Sequence, residues 1–234
     1  MRLVVVGAHC GDAEIQAGAI AHKYAKAGHE VTFVHLTAGE KGNPPDVSVE
    51  EYRVQKIRES EKVAEVLGVS TITLDYKDAE LTLDDEIVTR VATLMRKLKP
   101  NVVITHWEHS IHPDHVLCAK IVQAAQLKAG LPGFDLDGLP AHYYSYYHSE
   151  NWEDMEEYVP DVFVDVSDEF ETYLKALSEY WFIMNSKSFR YYDYYKALGT
   201  VRGCVNRTKY AQTLKFPIGT NVRKGGSIPG YEIK

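Results

Sequence analysis

The order of its apolar runs constrains this chain most. Residues 3–6, 31–36, 71–74 and 102–105 are short and largely apolar, and each is followed by a longer stretch with helical spacing. A strand covered on both faces reads as such a run rather than as a strict alternation. Behind the first run, Ala13, Ala17, Ile20, Ala21 and Tyr24 share one helical face that ends near Gly28. A second helix is expected over 49–67 with Gly68 as its stop, a third carries Ile87, Val88, Val91, Leu94, Met95 and Leu98, and a fourth runs from Pro113 to about Lys128. Repeated strand–helix units give a parallel sheet with right-handed crossovers, a Rossmann-like three-layer α/β fold. After residue 140 the pattern changes. Residues 143–147 and 162–166 read as further strands, and helical stretches are expected over 168–184 and 188–214. The expectation is a mostly parallel sheet with a helical C-terminal part, in one domain over 1–234.

This topology says where chemistry belongs, because open α/β sheets bind ligands outside the carboxyl ends of their strands. The segments 7–14, 37–46, 75–82 and 106–115 follow the four strands and open on one rim. The first contains His9, Cys10, Gly11, Asp12 and Glu14, and the last ends in His112-Pro113-Asp114-His115. A histidine and a carboxylate three residues apart, in the turn into a helix, can converge on one cation. Pro113 suits a first helical turn, which sets His112 at the cap and His115 inside the turn. Two imidazoles and a carboxylate on rigid element ends, His9, Asp12 and His115, make a three-ligand site with a position open to water. That is the pattern of a catalytic zinc or another divalent metal. Asp114 is placed to orient a neighbouring imidazole. Taken singly, His9 is better explained by a hydrogen bond at a strand end; the shared rim joins the two clusters.

Several stretches resemble the LmbE-like de-N-acetylases, zinc enzymes that include deacetylases of the N-acetylglucosaminyl-phosphatidylinositol, mycothiol and bacillithiol pathways. Ala8, His9, Asp12 and Glu14 fall on the AHPDDxE signature, and residues 36–42 are similar to the LTxGExG loop. Glu59 with Leu67-Gly68 fits the RxxE…LG helix, with Lys56 where arginine is usual; residues 112–115 are the HPDH motif. Asp165-Val166-Ser167, Arg202-Gly203 and Tyr210-Ala211-Gln212 resemble the later motifs. The resemblance implies a hydrolase that removes acetyl from an amino sugar or similar amide. His9, Asp12 and His115 would be its metal ligands, His112 the donor to the tetrahedral intermediate or leaving amine, and Asp114 its partner. Zinc would polarise the amide and acidify a bound water to about pKa 7, and a carboxylate would take the proton.

The departures matter as much. Gly11 stands where the family has its general-base aspartate, Cys10 replaces a proline, and Gln212 a glutamate. If proton transfer is what is missing, Gly11→Asp is expected to raise hydrolysis by about 10²–10⁴. A degenerate metal- and ligand-binding protein and a different metal-assisted reaction stay open beside the deacetylase. Glu40, Lys56 and Asp78 are candidates for binding sugar hydroxyls, and Trp107 for stacking on a sugar ring.

Composition excludes other classes. A net charge of −7 speaks against a nucleic-acid backbone or anionic membrane as partner. The first β–α turn has no GxGxxG, which speaks against a dinucleotide site. Three scattered cysteines make no disulfide framework, and residues 2–6 are too short for a signal segment or a membrane span. A cytoplasmic setting and a small-molecule substrate are expected. Tyrosines at 143, 144, 146, 147, 191, 192, 194 and 195 suggest a homo-oligomer interface or half-buried surface.

Overall fold

A computed structural model describes residues 1–154 and 157–217. Strands β1 (Arg2–Gly7), β2 (Glu30–Thr37), β3 (Ser70–Tyr76), β4 (Val102–His106), β5 (Ser145–Ser149), β6 (Val162–Asp165) and β7 (Ala211–Lys215) form one sheet, ordered β3-β2-β1-β4-β5-β7-β6. The first five are parallel, and β7 runs antiparallel between β5 and β6. Strand β1 shows why the apolar runs were continuous. Val4 and Val6 join the core on one face, while Leu3 and Val5 join the core on the other.

The connecting helices are α1 (Asp12–Lys26), α2 (Val49–Leu67), α3 (Asp85–Leu98), α4 (Pro113–Gly130), α5 (Phe170–Leu177), α6 (Trp181–Asn185) and α7 (Tyr191–Asn206). Helix α2 starts at a capping box between Ser48 and Glu51 and stops at Gly68, which takes a left-handed φ of 69°. Helix α4 starts with Pro113 behind its cap His112. Among the described residues no helix is long and apolar enough to cross a membrane.

The C-terminal part corrects two expectations: the stretch expected over 168–184 is broken into α5 and α6, and the one expected over 188–214 ends early. Helix α7 stops at Asn206 because Arg207 turns left-handed with a φ of 61°, and 211–215 form β7 instead of continuing the helix. From β7, Gln212 reaches into α1, which is kinked at Ala17. Its Oε1 accepts the Ile20 N–H at 2.9 Å and its Nε2 donates to the Ile15 carbonyl at 3.4 Å. An amide can bridge the kink in both directions, whereas an ionised glutamate only accepts.

Strands β2 and β3 lie to one side of β1, while β4 and β5 lie to the other. The chain therefore changes direction between β1 and β4, and the carboxyl ends of these paired strands are neighbours there.

Candidate metal centre and cleft

The loops after β1 and β4 meet at this switch point. Asp12 Oδ2 lies 3.0 Å from His9 Nδ1, 3.3 Å from His115 Nε2 and 3.3 Å from His106 Nε2. On its other side, His9 Nε2 is 3.1 Å from Asp78 Oδ1 and 3.2 Å from Asp114 Oδ2. The rings of His106, His115 and His112 stack in that order, with centroids 3.9 and 4.3 Å apart. Gly39, at a φ of 72°, lets the loop after β2 approach His9; a Cβ there would lie 2.9 Å from the histidine Cβ.

Among the described residues, three sets of donor atoms converge within 4.8 Å: His9 with His112 and His115, Asp12 with His106 and His115, and His9 with Asp78 and Asp114. Asp12 thus bridges His9 and His115, and the cluster is broader than three residues. Two backbone amides narrow the choice of ligands. The Ala8 N–H donates to His106 Nε2 at 3.0 Å, so that nitrogen is already an acceptor. The Asp114 N–H donates to His112 Nδ1 at 3.2 Å, which leaves Nε2 to carry the hydrogen of a neutral ring. Imidazoles beside buried carboxylates fit a zinc-like ion.

Charge is arranged accordingly. Burial opposes a proton on His9, but Asp12, Asp114 and Asp78 around it prevail and hold it well above its ordinary value. His115 is held well below its ordinary value by burial and by His106, and His112 is lowered by burial and by His9. Burial raises the Asp12 carboxyl, but His115 and His9 outweigh it and hold the group well below the usual range.

A cleft of about 450 Å³ opens above the cluster. Lys56, Tyr52, Trp152, Glu153, Phe182 and Tyr191 line it with His9, Asp12, Asp78, His112 and His115. Glu153 Oε2 sits 3.4 Å from His115 Nδ1, and burial together with the Asp12 charge pushes its carboxyl up to about 8. At Gly11, φ is 108° and an added Cβ would lie 2.8 Å from Phe182 Cζ. Phe182 therefore fills the space that a side chain at position 11 would need.

Not every candidate reaches the cleft. Trp107 is 1% exposed, with its ring edge-on to His148 and Tyr158, so it has no face for a sugar. The tryptophan at the cleft is Trp152. Glu40 lies beneath the rim: its Oε1 accepts the Asp78 N–H at 3.1 Å and pairs with Arg53 at 3.3 Å. The carboxylate of Asp114 reaches His9 rather than the His112 ring. Of the dense tyrosines, Tyr144, Tyr146 and Tyr195 are buried, whereas Tyr143 is exposed.

With this geometry in place, the family profile of the GlcNAc-PI de-N-acetylases, PIG-L, matches residues 4–126, which carry both halves of the cluster. The chain belongs to that family. A diacetylchitobiose deacetylase of Thermococcus kodakarensis is 27% identical over 231 residues, covering 93% of this chain and 84% of the relative. A 4-oxalmesaconate hydratase of Pseudomonas putida is 28% identical over 175 residues, covering 70% of this chain and 67% of the relative. The solved structure of a 4-carboxy-2-hydroxymuconate hydratase from Pseudomonas putida superposes with a TM-score of 0.83 at 23% identity, covering 95% of this chain and 99% of the other. The PIG-L fold is thus shared by relatives named for two different reactions.

The rim loops were readable in the sequence, and so were His9, His112 and His115, but not His106, which faces the same Asp12 oxygen. Glu153 and Trp152 were missed, although they follow β5, the fifth parallel strand, and so belong to the same rim. Phe182 gave no signal, since nothing in its local pattern shows that α6 returns to β1.

Proposed function

We propose that this chain is a metal-dependent hydrolase that removes an acyl group from an N-acylated amine, with N-acetyl amino sugars as the first class to test. The observation that carries this reading is the convergence of His9, Asp12, His112 and His115, from two separate loops, on the floor of one cleft. His9, Asp12 and His115 hold the ion. Zinc or a similar ion there supplies a Lewis acid for the amide carbonyl and acidifies a water. His112, neutral and with Nδ1 engaged by the Asp114 amide, turns Nε2–H toward the oxygen or amine that gains charge. Asp114 steadies His9. Asp12 and Asp78 are tied to histidines, while Glu153 Oε2 faces His115 Nδ1 at 3.4 Å and makes no hydrogen bond among the described residues. Glu153, ionised above about 8, is then the cleft carboxylate that takes the proton residue 11 has no side chain to accept. Lys56 and Trp152 contact the substrate from the cleft wall.

The blocked space at Gly11 and the relative named as a hydratase favour a second reading, metal-assisted addition of water to an unsaturated acid. Zinc-loaded protein should release acetate from N-acetylglucosamine or its oligomers, and His112→Ala should abolish that release. No release across such a panel, together with loss of the ultraviolet absorbance of a conjugated unsaturated acid, would replace the first reading with the second.

A further inference from the structure

Lys56 is an odd cation. It sits on α2, is 5% exposed and lines the cleft, yet among the described residues it has no ion pair and no hydrogen bond. The other buried cations are fully engaged. Arg96 donates to the carbonyls of Lys128, Ala129, Leu131, Phe134 and Leu139, and Lys128 reaches Asp85 and Thr89. The Lys56 ammonium has only ring faces, 3.8 Å from the centroid of Phe182 and 5.2 Å from that of Tyr180. It lies 3.7 Å from the point where a Cβ at position 11 would be. A buried ammonium with no anionic partner is costly, and one is normally paired.

We infer that the cleft takes an N-acyl amine that also carries a carboxylate, and that Lys56 holds this carboxylate at the cleft wall. An aspartate at position 11 would be the natural counter-charge for Lys56. With glycine there, the charge has to come from the ligand. Burial lowers Lys56 from its ordinary value, against the pull of Asp12, Glu59 and Glu14, and a bound carboxylate restores the full cation. Asp12, Asp78 and Glu153 line the same cleft, so a singly charged carboxylate suits it better than a phosphate dianion. Phe182 and Tyr180 stiffen the lysine from behind.

This inference rests on the cleft being the substrate site, but its test does not need turnover. Calorimetry on the zinc-loaded full chain compares N-acetylglycine with its neutral amide, N-acetylglycinamide. The acid should bind roughly ten- to a hundredfold more tightly, the size of a hydrogen bond to a charged group. Lys56→Met should bind both ligands alike, and Lys56→Arg should keep the preference. Lys56→Gln serves as the uncharged variant if the methionine variant does not fold, and zinc content shows that the floor of the site is intact. Equal binding of the two ligands by the parent, or a preference that survives in Lys56→Met, overturns the inference. Inorganic phosphate binding more tightly than N-acetylglycine would overturn the choice of carboxylate. Acetate release is read separately, so a chain that binds the acid through Lys56 without cleaving it would count against the hydrolase alone.

Discussion

Asp12 and Glu14 leave the first turn of α1 two residues apart, and both end against imidazoles, yet their surroundings differ completely. Glu14 is sealed. Its Oε2 accepts from His35 Nε2 and from the Gly11 N–H, each at 3.1 Å, and its Oε1 accepts from Tyr180 at 2.8 Å. Asp12, on the cleft floor, instead brings one oxygen to three imidazoles, and His115 beside it keeps an Nδ1 without a hydrogen bond among the described residues. The same residue types thus make a structural tie where every valence is met. They make an open cluster where donor atoms crowd one point beside the cleft.

Breaking the sealed group should have the largest effect. Glu14→Ala leaves His35 buried without its partner and should cost about 3–5 kcal/mol of unfolding free energy in denaturant melts. The same pair sets a pH dependence. Burial works against the charge on His35, but Glu14 prevails and holds it at about 10, above its ordinary 6.5. Its stabilisation is therefore whole below 6.5 and is lost as pH rises through about 10. Burial raises Glu14, but His35 and Tyr180 outweigh it and lower the group below its ordinary 4.5. Its share is therefore present above 4.5 and fades as pH falls through the lowered value. Thermal midpoints should be best supported between 4.5 and 6.5, and the decline above that range should flatten in Glu14→Gln. An unchanged profile would remove the pair from the account.

In the open group the same kind of damage should leave the fold standing. His112→Ala should retain metal and lose about 2.7–4 kcal/mol of transition-state stabilisation, read as kcat/KM. Its cost to stability should be only about 1 kcal/mol, that of a lost helix cap. A His112 variant that sheds metal would make this residue a ligand.

Gly11 lies between the two groups, and its effect should be smaller. Gly11→Asp must hold a left-handed φ and displace Phe182, so it should destabilise by about 1–3 kcal/mol rather than restore a base. Phe182→Ala in the same chain should recover part of that loss, because it removes the clash but not the backbone strain. A single Gly11→Asp variant of full stability and much higher turnover would show that the ring yields easily.

The sequence showed these regions unequally, for physical reasons. The rim could be found because β1 and β4 are continuous apolar runs whose following loops must open on one side, which placed His9, Asp12, His112 and His115 together. Glu14 and His35 could not be paired, since a buried tie between the start of a helix and a strand leaves no periodic trace. Trp107 misled because position in a loop does not fix which way a ring turns; its ring lies edge-on to His148 and Tyr158. The end of α7 was overrun because Arg207, not a glycine or proline, takes the left-handed turn.

Metal content separates the two regions most directly. The purified chain, dialysed against zinc and assayed by elemental analysis, should hold about one equivalent. Asp12→Ala and His115→Ala should lose it, while Glu14→Gln should keep it. Zinc retained in full by both Asp12→Ala and His115→Ala would contradict the assignment of the rim cluster as a metal centre.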